Sequence, residues 1–223
     1  MDRVTATGLG LVLPGDVIVI EARGDVAPDP LFPEETAAVA NAVERRRVEF
    51  ARGRSCARRA LVELGVEPVA ILMGDDRAPI WPPGVVGTIS HCAKYACAAV
   101  GHASTYAGIG IDAEILQPLE AGVAKLVVSV DEARALAALP GDVPWPCVAF
   151  SAKEAFYKAQ YPWTHTFLDF DDVAVAIDPA GSFTITVLKA GLAIPRTLPG
   201  RFVFDGERVL CAVVLTSEAA ART

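Results

Sequence analysis

The stretch "YAGIGIDAEIL", residues 106–116, alternates apolar side chains with glycines and carboxylates. On a β-strand its isoleucines and Ala113 lie on one side, so Asp112 and Glu114 lie together on the other. The apolar side predicts a strand that packs into the core, and the glycines let another backbone or a ligand approach closely. The alternative interpretation is an edge strand whose acidic side faces solvent.

A second short motif, "FSAKEAFYKA" at residues 150–159, is typical of a helix, which we expect between Pro146 and Pro162. Glu154 and Lys158 are four residues apart in the order that favours an ion pair on one helix face. This pair alone is also consistent with a simple surface salt bridge. Carboxylates gathered this closely in the chain repel one another unless a cation lies among them.

Residues 44–64, "ERRRVEFARGRSCARRALVEL", form an arginine-rich stretch whose apolar residues recur at helical spacing. At ~100° per residue the arginines divide into two stripes. The outer stripe points away from the apolar face and comprises Arg45, Arg52 and Arg59. The inner stripe borders that face and comprises Arg47, Arg54 and Arg58, with Arg46 near its N-terminal end. The stretch is either a solvated basic face or a helix whose inner stripe holds a phosphate, which suits the arginine fork.

A turn-rich stretch, residues 74–87, precedes a predicted hairpin that bends near Ala93 and Lys94. Ser90 and His91 lie just before the bend, where a ligand can reach them, although a lone histidine is often structural. The histidines and cysteines of this hairpin have no spacing typical of a zinc site.

Composition excludes several classes of protein. The chain has 223 residues and a net charge of -7, which argues against general nucleic-acid binding. No run approaches the ~18 apolar residues of a membrane span, and the N-terminal segment lacks the pattern of a signal peptide. The five cysteines suggest no disulfide framework, which fits a reducing cytoplasm. We therefore expect a cytoplasmic protein that acts on neither nucleic acid nor membrane.

The order of elements predicts two halves of similar plan, although they share no clear sequence identity. Residues 1–107 contain the arginine-rich helix and the hairpin with Ser90 and His91. Residues 108–223 contain the carboxylate motifs and then a series of alternating strands with turn signals between them.

Four motifs in order resemble a known family. Gly110-Ile111-Asp112-Ala113-Glu114, followed after about forty residues by Lys153-Glu154-Ala155-Phe156-Tyr157-Lys158-Ala159, resembles the signature of the 4'-phosphopantetheinyl transferases. The stretches "EFARGRSCARRAL", "APIWPPGVVGTISHC" and "IDAEILQPL" are similar to the enterobactin-type branch of the surfactin-synthetase-activating class. The chain departs from the usual pattern at Phe150, commonly Trp, at Ala113, commonly Val or Ile, and in the less basic loop 73–77.

The resemblance implies an α+β fold in which two similar halves pack as a pseudodimer. Each half would have a small, mostly antiparallel sheet and a long helix, with a ligand cleft between the halves. It also implies an enzyme that transfers the 4'-phosphopantetheine arm of coenzyme A to a serine hydroxyl of an apo acyl or peptidyl carrier protein. Adenosine 3',5'-bisphosphate would be the second product, and the protein would be a monomer.

The resemblance also implies roles for individual residues. Mg²⁺, or Mn²⁺ in its place, would be held by Asp112, Glu114 and Glu154, because Mg²⁺ prefers carboxylate and phosphate oxygens. Glu154, Lys158 and His91 would be the catalytic residues. Glu154 would accept the serine proton, bind the metal ion, or do both. Coenzyme A would be bound by the following residues: Arg46, Arg54, Gly74, Asp75, Asp76, Arg77, Ser90, His91, Asp112, Lys153 and Lys158. Within this set Arg54 fits the 3'-phosphate better than Arg46, and Lys158 fits the pyrophosphate better than Lys153.

Two other functions use some of the same features. A Mg²⁺-dependent hydrolase of nucleotide pyrophosphates would need the carboxylates but no carrier protein, whereas a non-catalytic coenzyme A-binding module would not need all of them. The sequence does not choose among the carriers of polyketide, nonribosomal-peptide and siderophore synthesis.

Overall fold

The computed structural model describes residues 8–221 as an α+β protein with two antiparallel sheets and several helices. Its strands are β1 (Ile18–Arg23), β2 (Val85–Cys92), β3 (Tyr95–His102), β4 (Tyr106–Ile115), β5 (Val173–Asp178), β6 (Ser182–Val187), β7 (Thr197–Asp205) and β8 (Arg208–Thr216). Its helices are α1 (Pro33–Ala38), α2 (Glu44–Glu63), α3 (Ala121–Val127), α4 (Val130–Ala137), α5 (Trp145–Thr164) and α6 (Ser217–Ala221). Short 3-10 helices lie at Gly8–Leu11 and Phe170–Asp172.

The two sheets each pack against one long helix. The first sheet has the order β1-β3-β2 and carries α2, while the second has the order β4-β8-β7-β6-β5 and carries α5. Each of these helices has 20 residues. The α+β class that the family resemblance implies is therefore confirmed.

Strand β4 packs against α5 through its two glycines. A Cβ atom at Gly108 would lie 1.9 Å from the carbonyl oxygen of Ala159, and one at Gly110 would lie 1.8 Å from that of Ala155. Only glycine leaves room for this approach, so the close neighbour predicted for β4 is the backbone of α5. The opposite side of the strand, including Ile111, is fully buried between the two sheets.

The two sheets are joined along β2 and β4 by side-chain hydroxyl groups. The amide of Ile111 donates to Thr88 Oγ1 at 3.4 Å, and that of Ala113 donates to Ser90 Oγ at 3.2 Å. These two hydroxyl groups accept hydrogen bonds from backbone amides of β4. The amides lie on the edge of β4 that does not pair with β8. This joint brings the end of β2 against the acidic end of β4.

Helix α5 is longer than the prolines predicted. It begins at Trp145 and ends at Thr164, so that Pro146 and Pro162 lie inside it. Proline is tolerated in the first turn because the amide there has no partner within the helix. Pro162 lies in the last turn, and His165 then adopts a left-handed conformation with φ of 49° that ends the helix.

Helix α2 confirms the predicted inner stripe for two arginines and contradicts it for a third. Arg54 and Arg58 are buried, with 6% and 7% of their surface exposed. Arg47 instead lies on the surface and pairs with Glu44 at 2.8 Å, because its position falls before the helix meets the sheet.

The five cysteines are free. Among residues 8–221, none of the helices combines the length and apolar character that a membrane span requires.

Candidate active site

Asp112 is the centre of the candidate site and is buried, with 3% of its surface exposed. Its Oδ1 atom accepts from Lys158 Nζ at 2.6 Å and from Ser90 Oγ at 3.1 Å. Its Oδ2 atom accepts from Ser151 Oγ at 2.9 Å. The acidic side of β4 is therefore not a solvated edge at this position. Lys158 pairs with Asp112 across the strand and not with Glu154 on its own helix.

Two further carboxylates lie beside this ion pair without partners of their own. Glu114 follows Asp112 on the same side of β4, and Glu154 lies one turn before Lys158 on α5. Neither makes a hydrogen bond or ion pair within the described residues. Burial, reinforced by the charges of Asp112 and Glu154, raises the pKa of Glu114 to about 7. Burial, reinforced by Asp112, also raises the pKa of Glu154 above its ordinary value.

These carboxylates fit a divalent cation that also binds a substrate. Within residues 8–221, no group of three or more His, Cys, Asp or Glu side chains is placed so that it could hold a metal ion by itself. Mg²⁺ commonly takes only one or two carboxylates from the protein and completes its shell with waters and substrate phosphates. A cation would also stabilise the charged forms of Glu114 and Glu154, whose pKa values are raised chiefly by burial. The donor set therefore suits Mg²⁺ held jointly with a phosphorylated ligand.

Lys153 is not brought to this site. Its ammonium group is fully buried and donates to the carbonyl oxygens of Val127 at 2.7 Å and Phe170 at 3.1 Å. It also pairs with Glu132 at 3.0 Å. Since Lys153 and Lys158 are separated by about 140° around the helix, only one of them can face β4. In this structure Lys153 ties α3 and α4 to α5 and has no free donor for a ligand.

His91 and Arg46 form the basic edge of the site. Arg46 Nη1 lies 3.0 Å from His91 Nε2, and Glu49 lies 3.9 Å from His91 Nδ1. A guanidinium group only donates, so Nε2 must be the acceptor and the ring is neutral with its proton on Nδ1. Burial, opposed by Glu49 and reinforced by Arg46, lowers the pKa of His91, which agrees with a neutral ring. Arg46 is exposed and can meet an anion from solvent.

Arg54 is held inside the first half. Its Nε atom donates to the carbonyl oxygen of Ile71 at 2.7 Å, and its guanidinium stacks 4.3 Å from the centre of the Phe50 ring. Burial lowers the pKa of Arg54 to about 10, so it remains a cation at neutral pH. The structure thus places Arg54 behind the segment that leads into loop 74–77 and leaves Arg46 nearer the open surface.

Loop 74–77 is a tight turn beside a cavity. Gly74 and Arg77 each make a backbone hydrogen bond within it, and Asp76 Oδ1 accepts from the amide of Ala78 at 2.9 Å. Arg77 has a left-handed conformation with φ of 68°. Asp76 and Tyr161 of α5 line the same wall of this cavity. Gly74 and Asp75 line a neighbouring cavity of about 500 Å³ that shares this wall.

A cavity of about 510 Å³ adjoins Glu154 and Lys158. Its walls come from the segment before β2, from β2, from α5 and from the loop after α5: Asp76, Arg77, Ala78, Pro79, Trp81, Gly87, Thr88, Ile89, Glu154, Tyr157, Lys158, Gln160, Tyr161, Pro162, Phe167 and Leu168. Sequence reasoning missed its aromatic wall. The signal was present, since Tyr157 and Tyr161 lie three and seven residues after Glu154 and so share its helix face. It also missed Ser151, which lies three residues before Glu154 on that face.

Comparison with known proteins gives the family of this chain. The profile of the 4'-phosphopantetheinyl transferase N-terminal domain matches residues 34–101, and that of the 4'-phosphopantetheinyl transferase superfamily matches residues 108–212. The chain is 45% identical to 4'-phosphopantetheinyl transferase Svp of Streptomyces mobaraensis, over 82% of this chain and 77% of that protein. It is 37% identical to 4'-phosphopantetheinyl transferase PptT of Mycobacterium tuberculosis, over 92% and 96%. Enterobactin synthase component D of Salmonella typhi is 33% identical over 78% and 74%.

The chain therefore belongs to the 4'-phosphopantetheinyl transferase superfamily. It is an enzyme that transfers a 4'-phosphopantetheine arm to carrier proteins, as the resemblance of its motifs predicted. The hydrolase and the non-catalytic module are set aside by this membership.

Proposed function

We propose that coenzyme A binds between the two halves of the molecule, 1–107 and 108–223, which form a pseudodimer and act as a monomer. The observation that supports this most directly is the Asp112–Lys158 ion pair, which lies where both sheets and α5 meet. Arg46 lies beside the neutral ring of His91 on the exposed side of the site, so Lys158 and Arg46 offer cationic partners to a run of phosphates. The 510 Å³ cavity on the other side of Lys158, which Asp76 and Arg77 of loop 74–77 also line, has room and aromatic surface for the adenosine.

In this proposal each group of residues has a separate role in the reaction. Lys158 and Arg46 hold phosphate oxygens, and loop 74–77 borders the adenosine. Asp112 and Glu114, with Glu154 beside them, hold Mg²⁺ or Mn²⁺, which when bound neutralises negative charge on the pyrophosphate. The serine oxygen of the carrier forms a bond to the phosphorus nearest the pantetheine, the pyrophosphate bond breaks, and adenosine 3',5'-bisphosphate leaves. Glu154 accepts the serine proton.

The reaction is tested by intact-mass measurement of several apo carrier proteins after incubation with the enzyme, coenzyme A and Mg²⁺. We expect each accepted carrier to gain the mass of one phosphopantetheine. Omitting the carrier should leave coenzyme A intact. Its hydrolysis under those conditions would contradict the proposal and restore the pyrophosphate hydrolase.

Arg54 gives a prediction about the 3'-phosphate. If its Nη atoms bind this group, Arg54→Ala should weaken coenzyme A by roughly 1.5–3 kcal/mol, the range of a charged hydrogen bond. Binding of 3'-dephospho-coenzyme A should change much less. Calorimetric titration with both ligands measures the difference.

If Arg54 acts only by holding Ile71, the test should have the opposite outcome. Loss of that anchor would loosen the segment before loop 74–77 and weaken both ligands equally. Arg46→Ala is the matched comparison, because Arg46 is exposed and holds no backbone carbonyl within residues 8–221. If Arg46→Ala alone discriminates between the ligands, Arg46 rather than Arg54 recognises the 3'-phosphate.

The carrier protein gives a second prediction. We propose that it docks on the apolar side chains exposed after β4, namely Val123, Leu126 and Val130 with 39%, 70% and 77% of their surface exposed. Lys153 anchors this segment to α5 through Val127, so the surface is held near the site. Leu119, which lies before this surface, is half-buried against the core and is not part of it. Leu126→Asp should raise the KM for the carrier about tenfold, which is ~1.4 kcal/mol, and leave coenzyme A affinity unchanged.

The control for this docking surface is Val62→Asp. Val62 is an apolar residue on α2, with 58% of its surface exposed. Raising salt from ~50 to ~300 mM should change the carrier KM only a few-fold, since apolar contacts are not screened. An unchanged KM in Leu126→Asp, or a steep salt dependence, would refute apolar docking.

A further inference from the structure

Helix α5 and strand β4 meet in a regular series of contacts. Ala159 lies against Gly108 and Ala155 lies against Gly110. Four helical residues rise about 6 Å and two strand residues span about 6.6 Å. A contact therefore recurs every four residues of α5 and every two residues of β4. The next members are Ser151 and Asp112, and their side chains are hydrogen-bonded. The serine is thus placed opposite the carboxylate by the same packing that the glycines allow.

The hydrogen bond of Ser151 fixes which oxygen of Asp112 faces the cleft. Ser151 is fully buried, and its hydroxyl donates to Oδ2 at 2.9 Å. Oδ1 is left for Lys158 and Ser90. A carboxylate held at only one oxygen can rotate about its terminal torsion, which has a broad energy well. Donors at both oxygens remove that freedom.

The side of Asp112 that faces β8 is closed by buried groups. Cys211 on β8 is the register partner of Asp112 and is fully buried. Its thiol donates to the carbonyl oxygen of Val148 at 4.0 Å. Water has no access to this side of the carboxylate, so no solvent molecule can replace the serine as donor to Oδ2.

We propose that Ser151 is a positioning residue that orients the Asp112 carboxylate for the cation and for Lys158. This inference rests on the proposed function, since it assigns Asp112 a ligand in the cleft. Ser151 touches neither substrate nor cation, and acts only through Asp112. Groups that orient a metal ligand typically change metal affinity or activity by 10–100-fold when removed.

The test compares Ser151→Ala and Ser151→Cys with Ser55→Ala. Ser55 is a matched control because its buried hydroxyl also donates to a carboxylate, Asp29 Oδ2 at 2.6 Å, but on α2. Mn²⁺ binding is measured calorimetrically with and without coenzyme A, alongside kcat, KM and Tm. We expect Ser151→Ala to lose about tenfold in Mn²⁺ affinity and in kcat with little change in KM for coenzyme A. Ser151→Cys should recover part of both losses because a thiol is a weak donor.

The outcomes separate this inference from the proposed metal site. If Ser151→Ala lowers Tm no more than Ser55→Ala and keeps wild-type kcat and Mn²⁺ affinity, Ser151 is only structural and the inference is overturned. If wild type transfers phosphopantetheine without binding Mn²⁺, the metal proposal is wrong. Ser151 is then judged by kcat and its recovery in Ser151→Cys, which would still report the orientation of Asp112 toward Lys158. Should Ser151→Ala not fold, Ser151→Cys decides the matter: a partial loss of kcat and Mn²⁺ affinity at a wild-type Tm would support the inference, and wild-type values of both would overturn it.

Discussion

Asp112→Ala should reduce phosphopantetheine transfer by at least ~10³-fold, the upper range for removal of one group that stabilises developing charge. The carboxylate is the shared partner of Lys158, Ser90 and Ser151. Its loss removes a proposed metal ligand and also frees Lys158 to move. Turnover of a carrier at saturating Mg²⁺ and coenzyme A measures the effect.

Folding must be separated from chemistry in this variant. Removing one member of a buried ion pair costs ~3–5 kcal/mol, and the cost here should be smaller because 30% of the Lys158 side chain is exposed. The double variant Asp112→Ala/Lys158→Met removes the unpaired charge and should recover stability without recovering turnover. Asp112→Ala that keeps near-normal turnover would contradict the assignment of this carboxylate to the site.

The alternation of β4 was sufficient to predict which side of the strand carries the site carboxylates and which side packs into the core. Period 2 is a property of the chain itself, so Asp112 and Glu114 had to share a face if the strand formed. The same reasoning on α5 placed Glu154 and Lys158 together. It did not reveal that Lys158 pairs with Asp112, because helical period assigns a face and not the element that covers it.

The roles of Lys153 and Arg54 depended on burial that the sequence did not show. Both residues lie in the motifs that resemble the family, and both are cations of a kind that binds phosphate. In the structure Lys153 pairs with Glu132 and donates to two carbonyl oxygens, and Arg54 donates to the carbonyl oxygen of Ile71. These partners come from segments distant in sequence, which no local pattern predicts. Ser151 was overlooked for the converse reason, since a serine in a helix carries no signal until its neighbour is known.

Glu154→Gln should lower kcat by ~10²–10⁴-fold while coenzyme A binding changes little. Glu154 lines the 510 Å³ cavity next to Lys158 and has no hydrogen-bond partner within residues 8–221. Its pKa is raised chiefly by burial, which makes it a stronger base than a solvated carboxylate. Glutamine keeps the shape of the side chain but cannot take the serine proton. Calorimetric binding of coenzyme A and steady-state turnover with one carrier provide the two measurements.

The same variant distinguishes a base from a metal ligand. A carboxylate bound to Mg²⁺ is a weaker base, so the two roles make different demands on Glu154. If Glu154 is mainly the base, Glu154→Gln should keep its Mn²⁺ affinity and its coenzyme A affinity and lose only kcat. If it is mainly a ligand, Mn²⁺ affinity and kcat should fall together, and raising the metal concentration should restore part of the turnover. Glu63→Gln, an exposed glutamate at the end of α2, is the control for loss of one negative charge. Glu114 and Asp112 remain in place in this variant. If Glu154 is mainly the base, metal binding should therefore survive, and loss of Mn²⁺ binding would argue against the base role of Glu154.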